Sequence, residues 1–212
     1  MNTDIKLVAL DLDRTTLNSE SHLSEVNRQA LIDAISNGVH VCIASGRAFD
    51  TLPEDIISVP GIEYAITSNG AAIYRIAGKE CLKSYLLTPS SVKTILNLTA
   101  NDTVTYEAFI KGQAFASTEY IRHPEKYGAT EHSLAYVRKT RILKDDIVSF
   151  ILEHCHELDS LDIVVGNEEL KKNIMDRIRN ATDEVYMTSS ISQLLEISYK
   201  DAGKKSGVKF LT

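Results

Sequence analysis

The chain has 212 residues, 43% of them hydrophobic, with 23 Lys and Arg against 29 Asp and Glu for a net charge of -6. That is enough chain for one large domain or two small ones with a sizeable core, and the acidic balance argues against nucleic acid or an anionic membrane as partner. No N-terminal apolar stretch reads as a signal peptide and no apolar run approaches the roughly 18 residues of a membrane helix, so the expected location is the cytoplasm. The three cysteines, Cys42, Cys81 and Cys155, are too scattered for a disulfide framework. His154, Cys155 and His156 are adjacent, and adjacent residues point to different faces of a helix, which disfavours a metal site there.

Residues 5–11 read as a strand buried on both faces, as do "VHVCIA" at 39–44 and "EYAIT" at 63–67. Between the first two, "SHLSEVNRQALIDAISNG" reads as a helix with Leu23, Val26, Ala30 and Ile35 on one stripe, closing at Gly38. "AFDTLPEDIISV" is a weaker helix, because Pro53 sits near its beginning. Strand and helix alternating at this spacing predict a parallel sheet with crossover helices, so the first 70 residues are α/β.

From residue 71 the pattern changes. "AAIYRI", "CLKSYLL", "TVTYEAF" and "QAFAST" are short, turn-separated runs that read as antiparallel strands. Helices are expected at 89–100, 142–157 and 168–180, with a strand at 161–165. Residues 83–190 are thus an α+β unit inserted into a core formed by 1–82 and 191–212. "LLEIS" at 194–198 reads as the strand that returns to the core, and "KKSGVKFL" begins a helix.

In an open α/β sheet, ligands bind outside the carboxyl ends of the strands. The first strand ends in Asp11, Asp13 and Thr15. Two carboxylates at this spacing can act on one centre, one attacking while the other moves a proton, with a divalent cation offsetting their repulsion. The plainer reading is a strand-end charge and a turn cap. The second strand ends in Ser45, Gly46 and Arg47, either an anion site at a helix start or an N-cap. The third ends in Asn69 and Gly70, which read as a tight turn. Lys204 follows the expected return strand, and solvated lysine is its plainer reading. All three strand-end clusters belong to one inferred sheet, so together they converge on one site.

"LDLDRTTL", "IASGR", "SNGA" and "LEISYKDAGKKSG", in this order around an insertion of this size, resemble the haloacid dehalogenase-like superfamily, specifically its Cof-type phosphatases. The resemblance implies a Rossmann-like parallel-sheet core interrupted by an α+β cap, and a hydrolase of small phosphorylated metabolites. It implies Asp11 as the nucleophile that forms an aspartyl-phosphate and Asp13 as general acid and base. Ser45 holds the transferring phosphoryl group, and Lys204 neutralises its charge and orients Asp11. Mg²⁺ is implied on Asp11 and the backbone carbonyl of Asp13. Thr15, Gly46, Arg47, Asn69 and Gly70 are then substrate-side residues, and the cap closes over substrate and selects it. Lys111 and Gln113, at the "IKGQ" turn, either contact the leaving group or form a plain hairpin tip.

Two departures from the family pattern stand out. Arg14 occupies the position of the glycine in D-x-D-G-T, either tolerated with a negative φ and an outward side chain, or reaching the phosphate as a substitute cation, or blocking the site, and Thr16 replaces a leucine. The fourth motif, a G-D-x-x-N-D stretch that adds a magnesium carboxylate, is missing, since no Gly-Asp pair occurs in the chain. The core is therefore expected to be C-terminally incomplete, with the edge of the first strand open to a homodimer or another partner. A catalytically impaired or truncated family member that binds phosphorylated ligands or a protein partner without turnover is the alternative function. A nucleotide-binding module is disfavoured, because no Gly-rich loop follows the first strand.

Overall fold

A computed structural model describes residues 5–129 and 131–212; residues 1–4, expected in the core, and residue 130, expected in the insert, lie outside the described residues. The chain begins β1 (Leu7–Leu10), α1 (Glu25–Ser36), β2 (His40–Ala44), α2 (Glu54–Ile57), β3 (Ile62–Thr67), β4 (Ala72–Arg75) and β5 (Glu80–Ser84). It continues α3 (Pro89–Thr99), β6 (Thr105–Ile110), β7 (Gln113–Ser117), α4 (Thr118–Arg122), α5 (Glu131–Thr140), β8 (Ile142–Lys144) and α6 (Ile147–Glu153). It ends β9 (Leu158–Val164), α7 (Glu168–Ala181), β10 (Val185–Thr188), β11 (Leu194–Tyr199) and α8 (Lys204–Leu211). Two compact units result, one running to Ser84 and resuming at Gly203–Thr212, the other Tyr85–Ala202. No helix among the described residues is long and apolar enough to cross a membrane.

The first unit is built on a five-stranded sheet in the order β1-β2-β3-β4-β5. β1, β2 and β3 are parallel, as expected, and β4 and β5 extend the sheet antiparallel. The expectation that the first strand is buried on both faces is corrected. β1 is an edge strand, none of its four residues is fully buried, and Ile5 before it is 61% exposed. The helical stripe also shifts. Val26 is 79% exposed, and Leu31, Ile32 and Ile35 carry the packing against Leu12, Ile43 and Ile56. α1 starts where the Ser24 hydroxyl accepts the Asn27 N–H and stops before Gly38, whose φ of 82° suits only glycine there. Pro53 splits the expected second helix into a short turn and the four residues of α2.

The second unit is built on a six-stranded sheet in the order β10-β11-β9-β6-β7-β8. Leu161 and Ile163 on β9 and Tyr106 and Ala108 on β6 pack against Val92 and Ile95 of α3, Ile151 of α6 and Ile174 of α7. The expected return strand is corrected here too. β11 pairs with β9 and β10 in this second sheet, so the chain re-enters the first unit only at Gly203. Leu195 and Ile197 explain the choice: both are fully buried in the second core, a contribution of roughly 1.5–3 kcal/mol each. The helix expected at 142–157 is also shorter than the pattern suggests. Residues Ile142–Lys144 form β8 beside β7, and α6 begins only after Asp146 accepts the Ser149 N–H.

Candidate active site

The first unit brings the strand-end residues together. Asp11 leaves β1 in extended conformation and a tight turn, Leu12–Thr16, follows it. Thr15 Oγ1 donates to Asp11 Oδ2 at 2.9 Å, and Thr16 Oγ1 donates to the Asp11 carbonyl at 2.6 Å. Lys204 Nζ donates to Asp11 Oδ1, across 193 residues of sequence. Both oxygens of Asp11 are therefore held by donors, and the carboxylate stays about two-fifths exposed.

The delivery of Lys204 depends on glycines. Gly70, at φ 99°, ends the β3 turn against Gly203, and a Cβ there would lie 2.1 Å from the Gly203 carbonyl carbon. One turn along α8, a Cβ on Gly207 would lie 2.6 Å from Ile66. Helix and sheet approach this closely only because neither glycine carries a side chain.

Asp13 is held differently. Arg47 grips it with two hydrogen bonds, Nε to Oδ2 at 3.0 Å and Nη2 to Oδ1 at 2.7 Å. The guanidinium is itself fixed by the Thr51 carbonyl at 3.1 Å and Ser21 Oγ at 3.3 Å. Ser45 is buried at the end of β2, where its hydroxyl accepts the Arg47 N–H at 3.2 Å. Its carbonyl accepts the Asn69 N–H at 3.1 Å, which ties the β2 end to the β3 end. Gly46 lies against the Asn69 side chain, with its absent Cβ position 3.0 Å from Asn69 Oδ1. Ser21, Thr51 and Gly203 escape the sequence reading, as does the bond of Thr16 to the Asp11 carbonyl, because these are side-chain or backbone contacts that no spacing announces.

Arg14 adopts φ 61°, so the condition of a negative φ is not met, although its side chain is exposed. An L-residue in this left-handed region is strained. Arg14→Gly is expected to raise stability by about 1 kcal/mol, read as a higher urea midpoint; a lower midpoint would show that the Arg14 side chain makes a contact worth more than the strain.

Among the described residues no group of three His, Cys, Asp or Glu side chains converges to hold a metal. A groove of about 450 Å³ opens at the other, amino-terminal ends of β1, β2 and β3, lined by Leu7, His40, Cys42, Tyr64 and Leu211. The strand-end cluster of Asp11, Asp13, Ser45 and Lys204 lies at the carboxyl ends, away from this groove.

The profile of a family described as haloacid dehalogenase-like hydrolase matches residues 8–212. A 5-amino-6-(5-phospho-D-ribitylamino)uracil phosphatase of Bacillus subtilis is 41% identical over 73 residues, 34% of this chain and 29% of that protein. A second B. subtilis protein of the same description is 32% identical over 107 residues, 50% of this chain and 36% of its own. The aligned stretches thus span about a third of these relatives. A haloacid dehalogenase-like hydrolase from B. subtilis superposes with TM-score 0.76 at 22% identity, covering 98% of this chain and 78% of that one. One from Bacteroides thetaiotaomicron superposes with TM-score 0.74 at 18% identity, covering 98% and 76%.

Proposed function

Because the chain belongs to the haloacid dehalogenase-like hydrolase family, we propose that it is a phosphatase of small phosphorylated metabolites. The observation that carries this reading is the Lys204–Asp11 pair, a cation and a carboxylate joined at the carboxyl end of a parallel sheet. In the proposed reaction an Asp11 oxygen attacks phosphorus as the bond to the leaving oxygen breaks, and protonated Asp13 gives its proton to that oxygen. Asp13, now a carboxylate, takes a proton from water, which attacks phosphorus and releases inorganic phosphate and free Asp11. Lys204 and the Ser45 hydroxyl offset charge on the phosphoryl oxygens, work that consists of positioning and electrostatics. Thr15, Gly46, Arg47, Asn69 and Gly70 shape the substrate side.

The donor set suits Mg²⁺, a hard cation that is often held by one or two carboxylates together with water and substrate phosphate. Asp11 and the Asp13 carbonyl would hold it, and when bound it would polarise the phosphoryl group. The second unit is proposed as the cap that selects among substrates, in a cytoplasmic protein. The non-hydrolysing alternative rests on the clamp of Arg47 on Asp13, which must release before that carboxyl can transfer a proton. Hydrolysis of p-nitrophenyl phosphate with and without Mg²⁺ tests the reading: magnesium-dependent turnover is expected, and none from folded protein would favour the binding-only alternative.

The outer edge of β1 pairs with no strand among the described residues, and we propose that a second copy pairs there antiparallel. Ala9 is exposed, so Ala9→Lys is expected to convert a dimer to monomer in sedimentation velocity without unfolding the chain. A monomeric wild type would refute the pairing.

A further inference from the structure

The turn Leu12–Thr16 contains a residue that its own backbone disfavours. Arg14 lies there at φ 61° and ψ 12°, a left-handed conformation that glycine or asparagine adopts at less cost than a long side chain. Two other long cationic residues among the described ones have a positive φ, Lys79 at 51° and Lys111 at 50°. Both are paired: Lys79 Nζ lies 2.7 Å from Asp50 Oδ2, and Lys111 Nζ lies 2.7 Å from Glu157 Oε1. Arg14 is exposed and makes no hydrogen bond, ion pair or ring contact with any described residue.

The carboxylates beside it already have their cations. Asp11 accepts Lys204 on one oxygen and Thr15 on the other, and Arg47 donates to both oxygens of Asp13. Arg14 is therefore a surplus cation one residue from Asp13 and three from Asp11. Strained residues persist chiefly where function uses them, and a merely solvated arginine returns nothing for the strain. The chain as a whole carries a net charge of -6, so its bulk field repels anions and any preference for a more anionic ligand must arise locally.

We propose that Arg14 selects substrates that carry a second anionic group, a carboxylate or a further phosphoryl, besides the phosphoryl group to be transferred. The inference rests on the phosphatase reading for the place of that first group, at Asp11 and Lys204. There the Lys204 ammonium and the Ser45 hydroxyl offset the phosphoryl charge, whereas exposed Arg14 meets the part of the substrate that leaves. A guanidinium presents a planar fork of donors that matches a carboxylate or a phosphoryl group with paired N–H···O bonds, and a lysine at this position would lack that fork.

Calorimetric titration of the full chain with phosphonates, which keep the phosphoryl charge and resist hydrolysis, tests this. 3-Phosphonopropionate and 1,2-ethylenediphosphonate each carry a second anion, and propylphosphonate has an uncharged tail. At one fixed free Mg²⁺ concentration, at least one of the first two is expected to bind roughly tenfold tighter than propylphosphonate, and the tighter of them identifies the second group. Arg14→Gly relieves the positive φ and keeps the fold, so its affinity ratio should fall to about one. Lys93→Ala, which removes an exposed cation of the second unit, should leave the ratio as it is. Equal affinities for the three ligands, no binding of any, a ratio that survives Arg14→Gly or one lost in Lys93→Ala would overturn the proposal. So would equal weakening of all three ligands in Arg14→Gly, which would put Arg14 on the transferred phosphoryl group instead. Hydrolysis of p-nitrophenyl phosphate by the same protein separates the two readings: turnover without the phosphonate preference overturns the role of Arg14 alone, and the preference without turnover supports that role and overturns the phosphatase reading.

Discussion

Gly70→Ala is expected to lower catalytic turnover by about 100-fold or more and to destabilise the first unit by several kcal/mol. Three steps lead there. An alanine at φ 99° carries the left-handed penalty of roughly 1–2 kcal/mol. Its Cβ would also lie 2.1 Å from the backbone of Gly203, which cannot yield as the end of a side chain can, adding about 1–3 kcal/mol of overpacking. Relief requires α8 to move, and α8 begins with Lys204, the partner of Asp11. With Lys204 in its proposed role, a displacement of about 1 Å is enough for a loss of this size. Gly78→Ala separates strain from collision, since Gly78 has φ 75° but nothing within 4 Å of its absent Cβ. That control should cost about 1 kcal/mol and leave turnover intact. Equal effects from the two substitutions, in thermal unfolding and in turnover, would contradict the docking role of Gly70.

Arg141→Ala is expected to cost about 3–5 kcal/mol. Arg141 and Glu107 have side chains only 8% and 4% exposed and are joined by a hydrogen bond from Nε to Glu107 Oε2 at 2.7 Å and an ion-pair contact from Nη2 to the same oxygen at 2.7 Å. The guanidinium also stacks on Phe109 and Tyr136, at 5.3 and 5.0 Å from their ring centres. Its removal leaves Glu107 buried without its cation, beside Asp162 on β9. The penalty arises from the stranded charge, so replacing both partners with leucine should recover most of the loss. Urea midpoints of the single and double variants decide it. A loss under about 1 kcal/mol in Arg141→Ala would show that Glu107 takes up a proton or water at little cost.

Much of the candidate site's placement was legible because its residues sit at fixed offsets from apolar runs. The ends of β1, β2 and β3 carry Asp11, Ser45 and Asn69, and periodicity alone identified those three strands as parallel neighbours. Lys204 was harder, and its arrival at Asp11 does not follow from the route expected for the chain. The run "LLEIS" alternates apolar and polar residues in a way that suits an edge of either sheet. Only the packing of Leu195 and Ile197 beside Leu161 and Ile163 decides for the second. The lysine reaches the site instead through the Gly203–Gly70 contact, a backbone approach that leaves no periodic trace. α5 went unread for a related reason: its buried Leu134 and Val137 form a short stripe among polar residues, and they gain a core from distant residues such as Ala116, Tyr120, Tyr127 and Val164. The φ of Arg14 was similarly hidden, since a residue type alone does not report the turn that it must enter.

The central claim is that Asp11 is the nucleophile, and trapping its phosphorylated form tests this most directly. The chain would be mixed with acetyl phosphate and Mg²⁺, quenched in acid and reduced with borohydride, which converts an aspartyl-phosphate to homoserine, and its peptides read by mass spectrometry. The account predicts homoserine at position 11, dependent on Mg²⁺ and absent from Asp11→Asn. Turnover of phosphate ester without modification at position 11, or with modification at another carboxylate, would contradict it.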